Sequence, residues 1–146
     1  MKIAIGTDHR GVAHKEFIKK NLTVSGLDII WIDVGCDTTE SCHYPEFAQF
    51  VAQKIQNKEV DVGILLCGTG VGMSIAANRF GGVYAGLAWN EAVAKLNKEH
   101  DHVNVLVLPA DFISHEQSVA MIAAWLQTEK LDGKYKKRIE MIDKFL

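Results

Sequence analysis

The fold of this chain is decided by residues 61–78, which read Asp-Val-Gly-Ile-Leu-Leu-Cys-Gly-Thr-Gly-Val-Gly-Met-Ser-Ile-Ala-Ala-Asn. An apolar run ends at Cys67, turns through a glycine-rich segment at 68–72, and continues with apolar residues at helical spacing. Glycines at a strand-to-helix turn allow backbone N–H groups to gather around an anion at the helix N-terminus. The stretch therefore predicts an anion-binding turn, and N–H groups beside Cys67 are expected to favour its thiolate form.

The rest of the chain repeats this alternation of strand and helix. Strands are predicted at 2–6, 28–34, 62–66, 82–88 and 103–108, and helices at 12–22, 45–56, 71–78, 91–98, 114–126 and 134–145. In the first helix the spacing places Phe17 and Ile18 inward and Lys15, Lys19 and Lys20 outward. The strands are continuous apolar runs, as in parallel sheets that are buried on both faces. The sequence predicts one α/β domain over 1–146, a three-layer α/β/α sandwich with a five-stranded parallel Rossmann-like sheet.

The composition narrows the classes of partner. With 146 residues and a formal net charge of −2, the chain is not expected to have nucleic acid as a main partner, since phosphate binding of that kind requires a basic face. No apolar stretch reaches the roughly 20 residues that span a bilayer, and the N-terminus has no signal-peptide pattern. The three cysteines lack Cys-x-x-Cys spacing, so we expect reduced thiols in a cytoplasmic protein without a membrane partner.

Polar residues after the predicted strands indicate a site at one edge of the sheet. Asp8 and His9 follow the first strand, and Cys67 and Thr69 follow the third. Ligands bind beyond the carboxyl ends of parallel strands, where a thiol can serve as a general base and a hydroxyl can stabilise an oxyanion. The plainer alternatives are a buried cysteine, a turn threonine and an aspartate that caps a helix.

Other ligand classes receive less support. The glycine turn lacks the spacing of P-loop and dinucleotide-binding motifs. Cys42, His43 and His115 have no partners at metal-ligand spacing, so no metal site is expected. Arginines are scarce, and each is a candidate for a specific anion contact, although a solvated arginine is the commoner case; they are Arg10, Arg79 and Arg138.

A second set of candidates lies away from this edge. His100 and Asp101 fall between the predicted fourth helix and the fifth strand, which places them at the opposite end of the sheet. Lys134 and Arg138 are four residues apart on the last helix and point the same way. A solvated loop and a solvated basic face are the plain alternatives to an anion clamp.

Four motifs together resemble a known family. They are Gly-Thr-Asp-His-Arg-Gly at 6–11, Tyr-Pro-Glu-Phe-Ala at 44–48, the run at 63–78 that contains the glycine turn, and Glu-His-Asp at 99–101. They are similar to ribose-5-phosphate isomerase B and its galactose-6-phosphate and allose-6-phosphate isomerase relatives, over the whole chain. The resemblance implies a cofactor-free aldose–ketose isomerase that interconverts ribose 5-phosphate and ribulose 5-phosphate.

The resemblance also implies a role for each candidate. Cys67 would move the proton between C2 and C1 through a cis-enediolate, and His100 would open the furanose ring. The enediolate oxygens would be held by Thr69 and the turn residues Gly68, Gly70, Val71 and Gly72. The sugar would be contacted by Asp8 and Asp101. The phosphate would be bound by His9, Lys134 and Arg138. The family is dimeric with each site built across the interface, so His100 would serve the Cys67 of its neighbour; a tetramer is the alternative.

The chain departs from the family pattern at four positions. Asp101 replaces an asparagine, Asp111 an arginine, Lys134 an arginine and His43 an aspartate. Asp101 replaces an amide that can donate by an acceptor-only carboxylate, Asp111 replaces a cation by an anion, and Lys134 keeps the charge but loses the bidentate geometry of arginine, so all three weaken the cationic character expected around a phosphate. We expect the isomerase chemistry to persist, with allose or galactose 6-phosphate, or an unphosphorylated sugar, as alternative substrates. A non-catalytic sugar-phosphate-binding protein and a thiol redox protein, which would need a resolving cysteine near Cys67, are rival interpretations.

Overall fold

Strands and helices alternate along residues 1–145, the part of the chain that the computed structural model describes. The strands are β1 (Lys2–Thr7), β2 (Ile30–Asp33), β3 (Val62–Cys67), β4 (Ala85–Leu87) and β5 (Val105–Pro109). The α-helices are α1 (Val12–Asn21), α2 (Tyr44–Gln56), α3 (Val71–Ala77), α4 (Glu91–Asp101), α5 (His115–Gln127) and α6 (Lys134–Ile142). Short 3-10 helices cover His9–Gly11 and Asp143–Phe145. Within this part of the chain, every helix falls short of the length and apolar character of a membrane span.

The five strands form one parallel sheet, and this confirms the predicted fold class. Their order is β2-β1-β3-β5-β4. From β1 the chain passes outward to β2 on one side and then returns through α2 to β3 on the other side. The order therefore reverses between β1 and β3, and such a switch point opens a crevice at the carboxyl ends of the two strands.

Both faces of the sheet are buried, as the continuous apolar strands predicted. One face packs against α1 and α5 through Ile3, Ile5, Ile64, Leu66, Leu106, Leu108 and the fully buried Trp125. The other packs against α2 and α3 through Ala4, Leu65, Val105, Val107, Val51 and Met73. Successive strand residues alternate between these two cores, so the apolar runs satisfy both layers of helices.

Several element bounds differ from the predicted ones. The two edge strands are shorter than expected, because each has a neighbour on one side only: β2 covers Ile30–Asp33 and β4 covers Ala85–Leu87. Helix α4 runs on to Asp101 and is closed by His102, which has a left-handed φ of 51° and donates its N–H to the carbonyl of Asn97. His100 therefore lies within the last turn of α4, and its predicted place in a loop was wrong.

Lys15 was predicted to face outward, and this was also wrong. Its side chain is fully buried. Its ammonium donates to the Cys36 carbonyl at 2.8 Å, to Asp37 at 2.8 Å and to Asp33 at 3.1 Å. A buried charge is tolerated when it is paired and hydrogen-bonded in this way. The contact ties α1 to the segment that follows β2.

Candidate active site

A pocket of about 510 Å³ lies over the carboxyl ends of β1, β3 and β5, beside the switch point between β1 and β3. Asp8 and Arg10 line it from the segment after β1, and Cys67 and Thr69 line it from the turn after β3. Asp111 enters it from the segment after β5. The structure therefore brings together Asp8, Cys67 and Thr69, because parallel strands end there together. His9, the fourth candidate predicted at this edge, is not among the described residues that line the pocket.

Cys67 is the last residue of β3, and its thiol reaches the floor of the pocket. The residue is 5% exposed, and Sγ accepts a hydrogen bond from the Gly70 N–H at 3.1 Å. Burial raises the pKa of the thiol, and the N–H groups of Met73, Gly70 and Thr69 pull it down only in part. The expectation that the turn favours the thiolate was wrong for a single chain, because desolvation outweighs the donors.

The glycine turn is shaped by contacts within the chain. Gly70 has a φ of +78°, and a side chain there would meet Leu87 Cδ1 at 2.4 Å, so only glycine fits without distortion. The Gly70 N–H bonds to the Cys67 thiol, and the Val71 N–H donates to Thr69 Oγ1 at 3.3 Å. Two of the N–H groups predicted to hold substrate oxygens therefore support the thiol and the threonine.

Asp8 combines the two interpretations that the sequence left open. It is 5% exposed and caps the 3-10 helix His9–Gly11 by accepting the Arg10 N–H at 2.9 Å. It also lines the pocket beside Cys67. The neighbouring His9 accepts the Cys42 N–H at its Nδ1, at 3.3 Å. Neutral His9 therefore carries its proton on Nε2, which is left to donate to a ligand.

The remaining two cysteines pair with each other and not with Cys67. The Sγ atoms of Cys36 and Cys42 lie 3.1 Å apart. Burial and the hydrogen bond to Cys36 raise the pKa of the Cys42 thiol to about 11, so it is protonated at neutral pH. The redox interpretation required a resolving cysteine beside Cys67, and the structure places both candidates against each other.

The other predicted residues form a second group around Tyr135 at the end of α4 and the start of α6. The His100 ring stacks on Tyr135 with centroids 4.4 Å apart and planes 9° apart. Lys134 Nζ lies 5.2 Å and Arg138 Cζ 5.9 Å from the centroid of the same ring. Sequence reasoning missed Tyr135, whose only signal is an aromatic residue in a basic helix.

Asp101 belongs to this second group by position. It lines a separate cavity of about 420 Å³ between β4, α4 and α6, together with Asn97 and Ile139. Neither Asp101 nor the three residues around Tyr135 are among the residues that line the Cys67 pocket in the described part of the chain. One chain thus carries the predicted residues as two separate groups.

An ion pair in the pocket was also missed. Arg10 Nε donates to Asp111 Oδ2 at 2.8 Å, and Nη2 bonds to the same oxygen. The carboxylate raises the pKa of Arg10 through this hydrogen bond and its charge. Because arginines are scarce in this chain, Arg10 was a candidate for an anion contact, and the sequence also placed Asp111 at the carboxyl edge of the sheet. No sequence pattern linked the two residues, which are 101 positions apart.

Comparison with known proteins identifies the relatives of this chain. The family model described as Ribose/Galactose Isomerase matches residues 3–142. The chain is 38% identical over 141 residues to ribose-5-phosphate isomerase B of Escherichia coli, covering 97% of this chain and 93% of that one.

Solved structures agree with this likeness. A ribose 5-phosphate isomerase of Thermotoga maritima superposes with a TM-score of 0.91 at 41% identity, covering 98% of this chain and 97% of that one. Ribose-5-phosphate isomerase B of Mycoplasma genitalium, crystallised with bound ribulose 5-phosphate, superposes with a TM-score of 0.90 at 34% identity, covering 99% and 95%. The chain therefore belongs to the Ribose/Galactose Isomerase family.

Proposed function

We propose that this protein is an aldose–ketose isomerase that interconverts ribose 5-phosphate and ribulose 5-phosphate without a cofactor. The observation that carries the proposal is the Cys67 thiol in the lining of an open pocket, with the Gly70 N–H bonded to its sulfur at 3.1 Å. Membership of the family and the likeness to a relative solved with ribulose 5-phosphate support the substrate.

In the proposed reaction Cys67 acts as the base. A proton next to a carbonyl is weakly acidic, so the base must lie against the carbon and the oxyanion must be stabilised as it forms. The Cys67 thiolate takes the proton from C2 and returns it to C1, through a cis-enediolate. The Cys67 sulfur and the Thr69 hydroxyl lie on the same turn. Thr69 and those N–H groups of the 68–72 turn that are not bonded to Cys67 or Thr69 are assigned to the enediolate oxygens.

A second copy of the chain completes the site in this proposal. His100, Lys134 and Arg138 gather around Tyr135 and are absent from the lining of the Cys67 pocket among the described residues. In a homodimer these groups of one copy would face Cys67 of the other. His100 would then open the sugar ring, and Lys134 and Arg138 would bind the phosphate together with His9. Asp8 and Asp101 are assigned to the sugar.

Exposed apolar side chains near both groups support such an association. Ile75, on α3 at the pocket, is 62% exposed, and Phe145, after α6, is 80% exposed. Met141 and Ile142 on α6 are exposed as well. Apolar surface of this kind is typical of an interface, and it flanks the two groups that the proposal joins.

The proposal is tested with a panel of sugars and a proton-exchange measurement. We expect faster turnover of ribose 5-phosphate than of allose 6-phosphate, galactose 6-phosphate, ribose or allose in a coupled assay. Turnover in deuterated water is expected to place deuterium on the product carbon that receives the proton. Preference for a hexose phosphate or a free sugar would reassign the substrate, and binding of ribose 5-phosphate without any exchange would identify a non-catalytic binding protein.

A further inference from the structure

We propose that Arg10 is a phosphate-binding residue of the Cys67 pocket, and that Asp111 positions its guanidinium for that role. The proposal rests on the proposed function for the identity of the ligand, a sugar phosphate. Asp111 on its own would weaken an anion site. Because Asp111 pairs with Arg10 across the pocket, it instead holds a cation in place at this site.

The geometry of the pair leaves Arg10 free to bind a second anion. A guanidinium has five N–H donors, and Asp111 engages Nε and Nη2 through the single oxygen Oδ2. Three N–H groups remain. The Arg10 side chain is 54% exposed, whereas that of Asp111 is 32% exposed. The guanidinium therefore forms the outer, accessible part of the pair, with donors still to offer.

The pair is fixed on the backbone of the catalytic turn. The Arg10 N–H donates to Asp8 at 2.9 Å, and the Asp111 N–H donates to the Gly68 carbonyl at 3.0 Å. A Cβ placed on Gly68 would lie 2.9 Å from both Arg10 Nε and Asp111 Oδ2. The guanidinium thus lies directly on the turn that carries Cys67, and the orienting contact reduces the side-chain entropy that a ligand would otherwise have to remove.

The charges of the side chains that line the pocket also support Arg10 as the phosphate-binding residue. Asp8 and Asp111 are its carboxylates, and Arg10 is the one cationic side chain among the described residues that line it. A phosphate approaching Cys67 would otherwise meet two carboxylates and no cation from this chain. Arg10 offsets Asp111 and offers bidentate hydrogen bonds to phosphate oxygens, which a lysine cannot do.

The test compares Arg10→Gln with the double variant Arg10→Gln/Asp111→Asn. The single change leaves Asp111 unpaired, so it weakens phosphate binding whether Arg10 binds phosphate or only neutralises Asp111. The double change removes both charges and separates the two roles. We expect the double variant to bind inorganic phosphate about ten- to a hundredfold more weakly than the unmodified protein, by titration calorimetry. We expect a similar rise in KM for ribose 5-phosphate, with kcat changed by less than about threefold.

Arg79→Gln serves as the matched control, because Arg79 is exposed and lies outside the pocket; it should bind phosphate like the unmodified protein. Thermal unfolding of each variant checks that the fold is kept. Phosphate affinity restored to the unmodified value in the double variant would overturn the proposal, as would a lack of phosphate binding by the unmodified protein. Should the unmodified protein leave ribose 5-phosphate unchanged, the proposed function fails, and the phosphate titration alone still decides the role of Arg10.

Discussion

The pocket around Cys67 and the group around Tyr135 hold their functional side chains in different ways. Around Cys67 the residues are bonded to the backbone at a sheet edge, and the thiol is almost inaccessible. Around Tyr135 the cations Lys134 and Arg138 are exposed on one helix and approach a single aromatic ring. The first arrangement is suited to proton transfer at a fixed point. The second offers charge on an exposed helix, as expected of groups that serve another chain.

The largest expected effect is at the thiol. Cys67→Ala should lower kcat by about a thousandfold, because it removes the proposed base. The melting temperature should fall by only a few degrees, since the change removes a single buried sulfur atom and leaves the Gly70 N–H without its acceptor. The matched control is Cys42→Ala, which should keep most of the activity because the backbone N–H of Cys42 still bonds to His9 at 3.3 Å, and only the longer contact of its thiol with His9, at 3.8 Å, is lost. Near-normal turnover by the Cys67 variant would exclude it as the base.

The division of the site between two copies is tested by mixing variants. His100→Gln alone should lower kcat by about a hundredfold through loss of an acid–base group. Co-expression of Cys67→Ala with His100→Gln should restore roughly a quarter of the normal activity, because half of the dimers are mixed and each mixed dimer has one intact site. If both groups act within one chain, no mixed dimer contains an intact site and the activity stays low.

The pH dependence of the reaction tests whether groups of the second region lower the pKa of Cys67 in the first. Since burial raises this pKa and only the thiolate acts as a base, kcat/KM should rise about tenfold per pH unit as the pH increases from neutrality toward the pKa. The rise should be absent from the residual activity of Cys67→Ala. If kcat/KM already reaches a plateau below neutral pH, cations from the second copy lower the pKa of the Cys67 thiol by more than burial raises it.

The smallest expected effect is at α6. Lys134→Arg restores a planar donor to an exposed position beside Tyr135 and should lower KM for ribose 5-phosphate by roughly two- to threefold, with kcat unchanged. The matched change Lys137→Arg, on the same helix, should leave KM as it is. An effect on kcat instead of KM would place Lys134 near the reacting carbons and not at the phosphate.

The sequence was sufficient to predict the parallel sheet and the presence of Asp8 and Cys67 in the same pocket. Continuous apolar runs reveal strands buried on both faces, and parallel strands bring their carboxyl ends to one edge. The helix predicted at 45–56 is also confirmed, with its start one residue earlier at Tyr44 and Pro45 in its first turn.

Contacts between distant loops could not be predicted. Lys15 was predicted to be solvated, and its burial depends on Asp33 at the end of β2 and on where the following loop places Asp37. The pairing of Arg10 with Asp111 depends on two loops separated by 101 positions. The direction of the Cys67 pKa shift required a balance between burial and N–H donors, which no motif encodes.

The ion pair between the buried Lys15 ammonium and Asp33 makes the stability of this protein sensitive to acid. Burial alone would raise the pKa of Asp33, but hydrogen bonds from two lysines and a backbone N–H outweigh it and hold that pKa below its ordinary value. The resulting stabilisation is present above the unfolded-state pKa of about 4 and is lost as the pH falls through the folded-state pKa. Protonation of this carboxylate weakens its bonds to Lys15, Lys19 and the Gly35 N–H, at the start of the segment that carries Cys36 and Cys42. Acidification should therefore loosen the segment that contacts His9 through Cys42 before it unfolds the sheet.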